Sequence, residues 1–136
     1  MTVSGAPEGF DAQLILRELD ASDGPVCHIA RDDKRLVAMQ DALRFFAPDM
    51  PVVVFPGWDC LPYDRASPSL RVTSERLATL AALQRKTDKP QLLITTANAA
   101  TQRVLTPFRI RQLTAHLAPG ARIDRDKLAA LLQANG

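Results

Sequence analysis

Three short apolar segments limit what this chain can fold into. They are Pro25–Ala30 (PVCHIA), Pro51–Phe55 (PVVVF) and Gln91–Thr95 (QLLIT), and each is followed by a stretch with helical spacing of its apolar residues. Short continuous apolar runs are typical of strands that are buried on both faces of a sheet. Strands that alternate with helices form parallel sheets with right-handed crossovers. The sequence therefore predicts an α/β domain in which a parallel sheet is flanked by helices.

The helices of this pattern have recognisable ends. Residues 10–20 form a short amphipathic segment, and an aspartate within Arg31–Asp33 is able to cap the second helix. Ser67 and Pro68 suit an N-cap followed by proline at the first helical position of the third helix. Its apolar face is expected to carry Val72 or Thr73, Leu77, Leu80 and Leu83. A fourth helix is expected to start in the segment TANAATQRV, after the third strand.

The pattern changes after residue 106. Residues 110–118 (IRQLTAHLA) alternate apolar and polar side chains, which predicts a half-exposed strand. Asp124 is placed to cap a last helix that ends in Asn-Gly. A strand and a helix of this different type indicate the start of a second, small α+β domain. We therefore predict two domains, 1–106 and 107–136, and interpret the chain as part of a longer protein.

Composition places the chain among soluble globular proteins. Hydrophobic residues are 46% and charged residues 24% of its 136 residues, and no apolar run approaches the roughly 20 residues that span a bilayer. The N-terminus shows no export signal. Cys27 and Cys60 lie far apart and are interpreted as reduced thiols of a cytoplasmic protein, with a disulfide as the less favoured alternative. The formal net charge of +2 neither indicates nor excludes a nucleic-acid partner.

The glycines near the start of the chain do not match a phosphate-binding loop. A P-loop has the pattern GxxxxGK[ST], in which backbone amides surround the phosphates, lysine binds their charge and the hydroxyl binds Mg²⁺. In GAPEGFDAQL (Gly5–Leu14), Gly5 and Gly9 have the wrong spacing, and Phe10 and Asp11 stand where lysine and threonine would follow. A carboxylate there would repel phosphate. We expect this degenerate loop to bind no nucleotide.

The sequence contains no other pattern that indicates catalysis or metal binding. GxGxxG, HExxH and GxSxG are absent. His28 lies in a predicted buried strand and His116 in a predicted half-exposed one, each without a partner histidine or cysteine at suitable spacing. We therefore predict no catalytic residue, no metal and no cofactor for this segment.

Two groups of polar residues leave alternatives open. One group lies at the carboxyl end of the third strand, where α/β proteins bind ligands, although helix capping is the favoured explanation for Thr96 or Asn98. Its members are Thr95, Thr96, Asn98 and Thr101. The other group lies along the third helix and its approaches, where a solvated face is favoured over a DNA-binding track. Its members are Arg65, Arg71, Arg76, Arg85, Lys86 and Lys89.

The connection Phe55–Ser69 (FPGWDCLPYDRASPS) holds the only tryptophan, the only tyrosine and three of the ten prolines. Aromatic rings supply large buriable surfaces, prolines fix the path of a loop, and carboxylates accept hydrogen bonds from amides or arginine. We interpret the segment as a brace across the end of the sheet, with a docking surface for another domain as the alternative. Replacement of Trp58 by alanine would cost about 3–5 kcal/mol if its ring is buried.

One element of this connection resembles a known family. The pattern W-D/E-x-L-P-Y-D is its most specific mark, and it resembles the N-terminal region of the bacterial transcription-repair coupling factors. Its residues here are Trp58, Asp59, Cys60, Leu61, Pro62, Tyr63 and Asp64. The segment SERLATL, which contains Arg76, and the segment that ends in Gln102-Arg103-Val104 support the resemblance. The resemblance covers roughly Pro25 to the C-terminus. The candidate interaction or brace residues are Arg76 and all residues of the W-D/E-x-L-P-Y-D pattern except Cys60.

The resemblance implies a fold similar to that of UvrB, the damage-recognition subunit of nucleotide excision repair, which is built on a helicase-type P-loop NTPase fold. Residues 1–106 would be the counterpart of its domain 1a, with Gly5–Leu14 at the position of the P-loop. The absent Lys-Thr pair matches the family's loss of nucleotide binding in this module. UvrB also has a long aromatic β-hairpin after its second conserved strand, and the compact WDCLPYD segment leaves no room for one.

The resemblance also implies a role for the parent protein. Residues 107–136 would begin the small domain that recruits UvrA, whereas the ATPase motor, with ATP and Mg²⁺, and the RNA polymerase-binding module belong to other parts of the parent. The parent would be an ATP-driven DNA translocase that displaces stalled RNA polymerase, with UvrA, RNA polymerase, DNA and its own other domains as partners.

This chain would then be a non-catalytic adaptor that binds no nucleotide and binds DNA weakly or not at all. The alternative is a stand-alone nucleic-acid- or nucleotide-binding α/β domain. The two differ in whether ATP–Mg²⁺ raises the melting temperature, because a ligand that binds the native state stabilises it.

Overall fold

The computed structural model describes residues 2–60, 65–85, 87, 90–115 and 117–135, with only the backbone at residue 135. The chain divides into two units, Met1–Arg103 and Val104–Gly136. In the described part of the chain, no helix is long and apolar enough to cross a membrane.

The first unit contains a three-stranded parallel sheet. Its strands are β1 (Val26–Ala30), β2 (Val52–Phe55) and β3 (Leu92–Thr96), in the spatial order β1-β3-β2. Val26 and Val52 both lie opposite Leu92, so the three strands start in register. The predicted parallel α/β sheet is confirmed. Its strand order makes β3 the central strand and leaves β1 and β2 at the edges.

Four helices accompany this sheet: α1 (Phe10–Asp20), α2 (Asp33–Phe46), α3 (Leu70–Ala82) and α4 (Ala97–Ala100). The predicted aspartate cap of α2 is confirmed, because the Asp32 carboxylate accepts a hydrogen bond from the Arg35 amide at 2.9 Å. The predicted Ser67 cap of α3 is wrong, since Ser69 caps that helix and accepts from the Val72 amide at 3.3 Å. The fourth helix stops after four residues.

The main core lies between α1, α2 and one face of the sheet. Its buried members are Ala12, Leu19, Met39, Leu43, Leu92 and Ile94, and Val52 and Val54 of β2 pack against them. Successive side chains of a strand point to opposite faces. Phe55 therefore points to the other face, where it contacts Arg76 of α3.

The expectation that every strand is buried on both faces is wrong for β1. Ile29 is in register with Thr95 and Phe55, so it shares the α3 face of the sheet. Its side chain is nevertheless 54% exposed, and Cys27 on the same face is also exposed. The reason is that α3 packs against β2, at the opposite edge of the sheet.

The second unit contains α5 (Pro107–Leu113) and α6 (Arg125–Asn135). The strand predicted from residue 110 onward is wrong, because Thr106 accepts a hydrogen bond from the Arg109 amide at 3.3 Å and Pro107 occupies the first turn of a helix. The predicted Asp124 cap of α6 is confirmed, with the Lys127 amide 3.1 Å from its carboxylate. The described residues of this unit contain no strand, so its predicted α+β character is wrong for them.

Candidate functional site: the connection after the second strand

Arg76 is the residue on which the start of the connection packs. It lies on α3, and only 3% of its surface is exposed. Its guanidinium carbon is 4.1 Å from the ring centre of Phe55 and 4.1 Å from that of Trp58, so the two aromatic side chains both pack on the cation. Attraction between a cation and the faces of aromatic rings strengthens when water is excluded. Burial lowers the pKa of the Arg76 guanidinium.

Three successive backbone carbonyls at the end of β2 each accept a hydrogen bond from a side chain. Arg76 Nη1 donates to the carbonyl of Pro56 at 2.6 Å. Thr95 Oγ1 on β3 donates to the carbonyl of Phe55 at 2.8 Å, and Thr79 Oγ1 on α3 donates to the carbonyl of Val54. Buried carbonyls without a partner are costly. Side chains from α3 and β3 therefore satisfy the backbone where the sheet ladder ends.

A second contact joins the two ends of the connection. The Asp59 carboxylate accepts a hydrogen bond from the backbone amide of Ser69 at 3.0 Å. Hydrogen bonding from Ser69 is the main reason why the pKa of Asp59 lies below its ordinary value. Because Ser69 is also the N-cap of α3, one aspartate links the loop that leaves the sheet to the start of the next helix.

The structure brings together three of the candidate interaction or brace residues. Trp58, Asp59 and Arg76 all contact the start of this connection or its return to α3. The other candidates lie outside the described residues, and they are Leu61, Pro62, Tyr63 and Asp64. Whether the connection acts as a brace or as a docking surface remains a prediction.

The sequence did not single out Thr79, and its predicted face of α3 is right for Val72, which is buried, but wrong for Leu77. The predicted face included Leu77, which is 43% exposed. The residues that the structure buries are Val72, Arg76 and Thr79. These lie four and three residues apart, which is helical spacing. The signal was present in the spacing, but arginine and threonine are usually surface residues.

The turn before α1 has features that oppose phosphate binding. Gly9 adopts a left-handed conformation (φ of 85°) as the N-cap of α1, and no side chain caps the helix. The Ala12 amide donates to the Asp11 carboxylate at 3.0 Å, and the Phe10 amide donates to the carbonyl of Pro7 at 3.1 Å. Amides that would face a bound phosphate at a helix N-terminus are thus already engaged.

Carboxylates also line the cavity beside this turn. The cavity has a volume of about 290 Å³ and lies between the start of α1 and α2. Glu8, Asp11 and Asp41 line it, and its one lining arginine, Arg35, forms an ion pair with Glu8 at 3.3 Å. A phosphate group would meet a predominantly negative environment there.

In the polar cluster at the end of β3, Thr96 caps a helix, which is the explanation that the sequence favoured. Thr96 is buried, and its Oγ1 accepts a hydrogen bond from the Ala99 amide at 3.2 Å. The side chains of Asn98 and Gln102 are hydrogen-bonded at 3.4 Å. Thr101 donates to the Asn98 carbonyl at 2.9 Å. These contacts are those of the first and last turns of α4.

Histidine and basic residues form no centre in the described part of the chain. No group of three metal-ligating side chains occurs there. His28 is half-buried on β1, and burial lowers its pKa, with Asp11 acting in the opposite direction. Along α3, Arg76 is buried and Arg71 forms an ion pair with Glu75 at 2.8 Å. His116 lies outside the described residues.

Comparison with known proteins finds relatives that share one name. No family model matches the chain. Over 92% of the length of this chain, it is 31% identical to the transcription-repair-coupling factor of Escherichia coli. Over 96% of the length of this chain, it is 32% identical to the protein of the same name from Myxococcus xanthus. It is 27% identical to the protein of the same name from Haemophilus influenzae over 94%. In each case it spans only 11% of the relative's length.

Proposed function

Because this chain belongs to the transcription-repair-coupling factor family and corresponds to an N-terminal part of its members, we propose that it is the non-catalytic adaptor portion of a longer DNA-repair protein. The parent would be an ATP-driven DNA translocase that displaces stalled RNA polymerase and recruits UvrA. The partners of the parent would be UvrA, RNA polymerase and DNA, and ATP and Mg²⁺ would belong to its motor.

The composition of the turn before α1 carries the proposal that this portion is non-catalytic. Where a nucleotide-binding loop would present lysine and a hydroxyl, this chain presents Phe10 and Asp11. The Asp11 carboxylate accepts a hydrogen bond from the next amide, and two further carboxylates line the adjacent cavity. A UvrB-like scaffold with this turn would keep the architecture of a nucleotide-binding domain without its phosphate contacts.

The connection Phe55–Ser69 then serves the architecture rather than chemistry. Arg76 and Asp59 fix its two ends to α3, and Thr95 fixes the end of β2 to β3. We propose that this arrangement holds the start and the end of the connection in place, and that the connection is also a docking surface for another domain of the parent. In this proposal the brace and the docking surface are the same segment.

Thermal unfolding with and without ATP–Mg²⁺ tests the non-catalytic role. A ligand present at 100 times its dissociation constant stabilises a protein by about 2.7 kcal/mol, which corresponds to a shift of several degrees. We expect no saturable shift at millimolar ATP–Mg²⁺. The variant Asp11→Asn removes the negative charge but supplies no lysine, and it is also expected to show none. A saturable, Mg²⁺-dependent shift of the unmodified chain would overturn the proposal and favour a nucleotide-binding domain.

A further inference from the structure

Acidic residues are concentrated at the start of the chain. Residues 1–30 contain five acidic residues and one cation, Arg17, whereas residues 31–136 contain 10 acidic residues and 16 arginines and lysines. All five acidic residues are exposed, and among the described residues only Glu8 of the five is in an ion pair. The region around α1 therefore carries a net negative charge. The five residues are Glu8, Asp11, Glu18, Asp20 and Asp23.

The outward face of α1 combines a phenyl ring with two of these carboxylates. Ala12 and Leu19 are buried and mark the core side of the helix. Phe10 projects away from them and is 38% exposed. Asp11 and Glu18 are seven residues apart, so at 100° per residue they project within about 20° of each other. An apolar ring and two carboxylates thus share the solvent-facing side of α1.

The end of α2 adds two more exposed rings. Phe45 is 80% exposed and Phe46 is 41% exposed, and their ring centres are 5.1 Å apart in an edge-to-face arrangement. A Cβ atom added to Gly9 would lie 4.0 Å from Cε2 of Phe46, so this ring lies beside the turn that precedes Phe10. Three of the five phenylalanines are therefore exposed in one region, and Phe10, Phe45 and Phe46 together are called the phenylalanine surface. Apolar patches of this kind mark interaction sites.

The cavity of about 290 Å³ between the start of α1 and α2 adjoins the phenylalanine surface. Ala38 and Ala42 line it with small apolar side chains, and the Asp11 carboxylate lines it as well. Glu8 and Asp41 also line it, but each of these two forms an ion pair with an arginine. The aliphatic stem of a lysine or arginine could pack on the alanines while its charge approaches Asp11.

A basic amphipathic polypeptide is the partner whose chemistry matches both features. Its apolar side chains would pack on the rings, and its cations would lie near the carboxylates or over a ring face. Nucleic acid and anionic lipid would be repelled, and a neutral apolar partner would leave the carboxylates unused. We propose that the phenylalanine surface is a docking site for a basic amphipathic helix of another protein, with Phe45 as its most exposed apolar contact and Asp11 as a contact for a cation.

This proposal goes beyond the adaptor role and does not depend on it. It is tested by fluorescence anisotropy with the full chain and a labelled amphipathic peptide of leucine and lysine, about 18 residues long so that it forms a helix. We expect saturable binding that weakens severalfold as NaCl rises from about 50 to about 500 mM, because salt screens exposed charges. A matched peptide with glutamate in place of lysine is expected to bind at least about tenfold less tightly.

Matched variants separate a docking site from general attraction. Phe45→Ala and Phe10→Ala are each expected to weaken binding of the lysine peptide by about fivefold, and Asp11→Asn by about threefold. The controls are Leu70→Ala, at an 82% exposed residue, and Glu75→Gln, both on α3 at the other face of the sheet. Each control is expected to change binding by less than about 1.5-fold. Melting curves confirm that every variant is folded.

Four results would overturn the proposal. The first is the absence of saturable binding of the lysine peptide. The second is an equal loss of affinity in the variants of the surface and the controls, which would indicate only diffuse attraction. The third is equally tight binding of the glutamate peptide. The fourth is self-association of the unmodified chain that Phe45→Ala abolishes, since that would assign the surface to a second copy of this chain.

Discussion

The guanidinium carbon of Arg76 lies 4.1 Å from the centre of the Trp58 ring, so the only tryptophan of the chain packs on a buried cation. The same guanidinium also packs on Phe55 and donates a hydrogen bond to the intervening carbonyl of Pro56. One side chain of α3 thus contacts three of the first four residues of the connection. The start of this loop therefore packs on a cation.

Replacement of Arg76 tests this dependence. Arg76→Met keeps most of the side-chain volume but removes the charge and the donor to Pro56, and we expect the free energy of unfolding to fall by about 2–3 kcal/mol. The matched control is Arg71→Met, five residues earlier on the exposed side of α3, whose ion pair with Glu75 is worth less than about 1 kcal/mol. Urea unfolding measures both. Equal stability of Arg76→Met and the unmodified chain would contradict the role of the cation.

The Thr95 hydroxyl gives a second, independent test at the end of β2. Thr95→Val preserves the shape of this buried residue but leaves the Phe55 carbonyl without its partner, and we expect a loss of about 1–3 kcal/mol. Thr95→Ser keeps the hydroxyl and is expected to lose less. If valine is tolerated as well as serine in thermal unfolding, the hydrogen bond does not contribute as described.

The contact between Asp59 and Ser69 predicts a pH dependence. The pKa of Asp59 is lower in the folded chain than its ordinary value of 3.8, so ionisation of this group favours the folded state. Its contribution is present above pH 3.8 and is lost as the pH falls through the lower folded-state pKa. The melting temperatures of the unmodified chain and Asp59→Asn should therefore differ most near neutral pH and converge in acid. A difference that grows on acidification would have the wrong sign.

The exposed face of β1 predicts an asymmetry between two isoleucines. Ile29 is 54% exposed and Ile94 is fully buried. Ile94→Ala should cost about 2–5 kcal/mol, whereas Ile29→Ala should cost less than about 1 kcal/mol. Urea unfolding of both variants gives the comparison. Similar costs would mean that the α3 face of β1 is covered in solution.

The regular elements of the first unit follow from local patterns in the sequence. The apolar runs predicted β1, β2 and β3, and helical spacing predicted α1 through Phe10–Asp20 with both ends correct. The burial of the three strands did not follow from the sequence, because a strand that is buried on both faces and a strand at the edge of a sheet can have the same composition. The strand order, which decides between the two, depends on contacts between distant segments.

The remaining errors have local physical causes. Leu113, Ala115 and Leu117 alternate with polar residues as in a strand. Ile110 and Leu113, however, lie three residues apart, which is helical spacing, and the Thr-Pro cap before them favours the helix. Arg76 was assigned to a group of surface cations because arginine is rarely buried without a carboxylate. Its burial depends on two aromatic rings, one on β2 and one in the loop beyond it. Only the folded structure brings these groups together.

Trp58 is half-buried, so its replacement by alanine should cost less than the 3–5 kcal/mol expected for a buried ring, about 2 kcal/mol. The most direct test of the account is a double-mutant cycle of Trp58→Ala and Arg76→Met, followed by urea unfolding. If the ring packs on the cation, the two changes will be coupled by about 1 kcal/mol or more. Additive effects, within about 0.3 kcal/mol, would show that the two side chains stabilise the chain independently and would contradict the account.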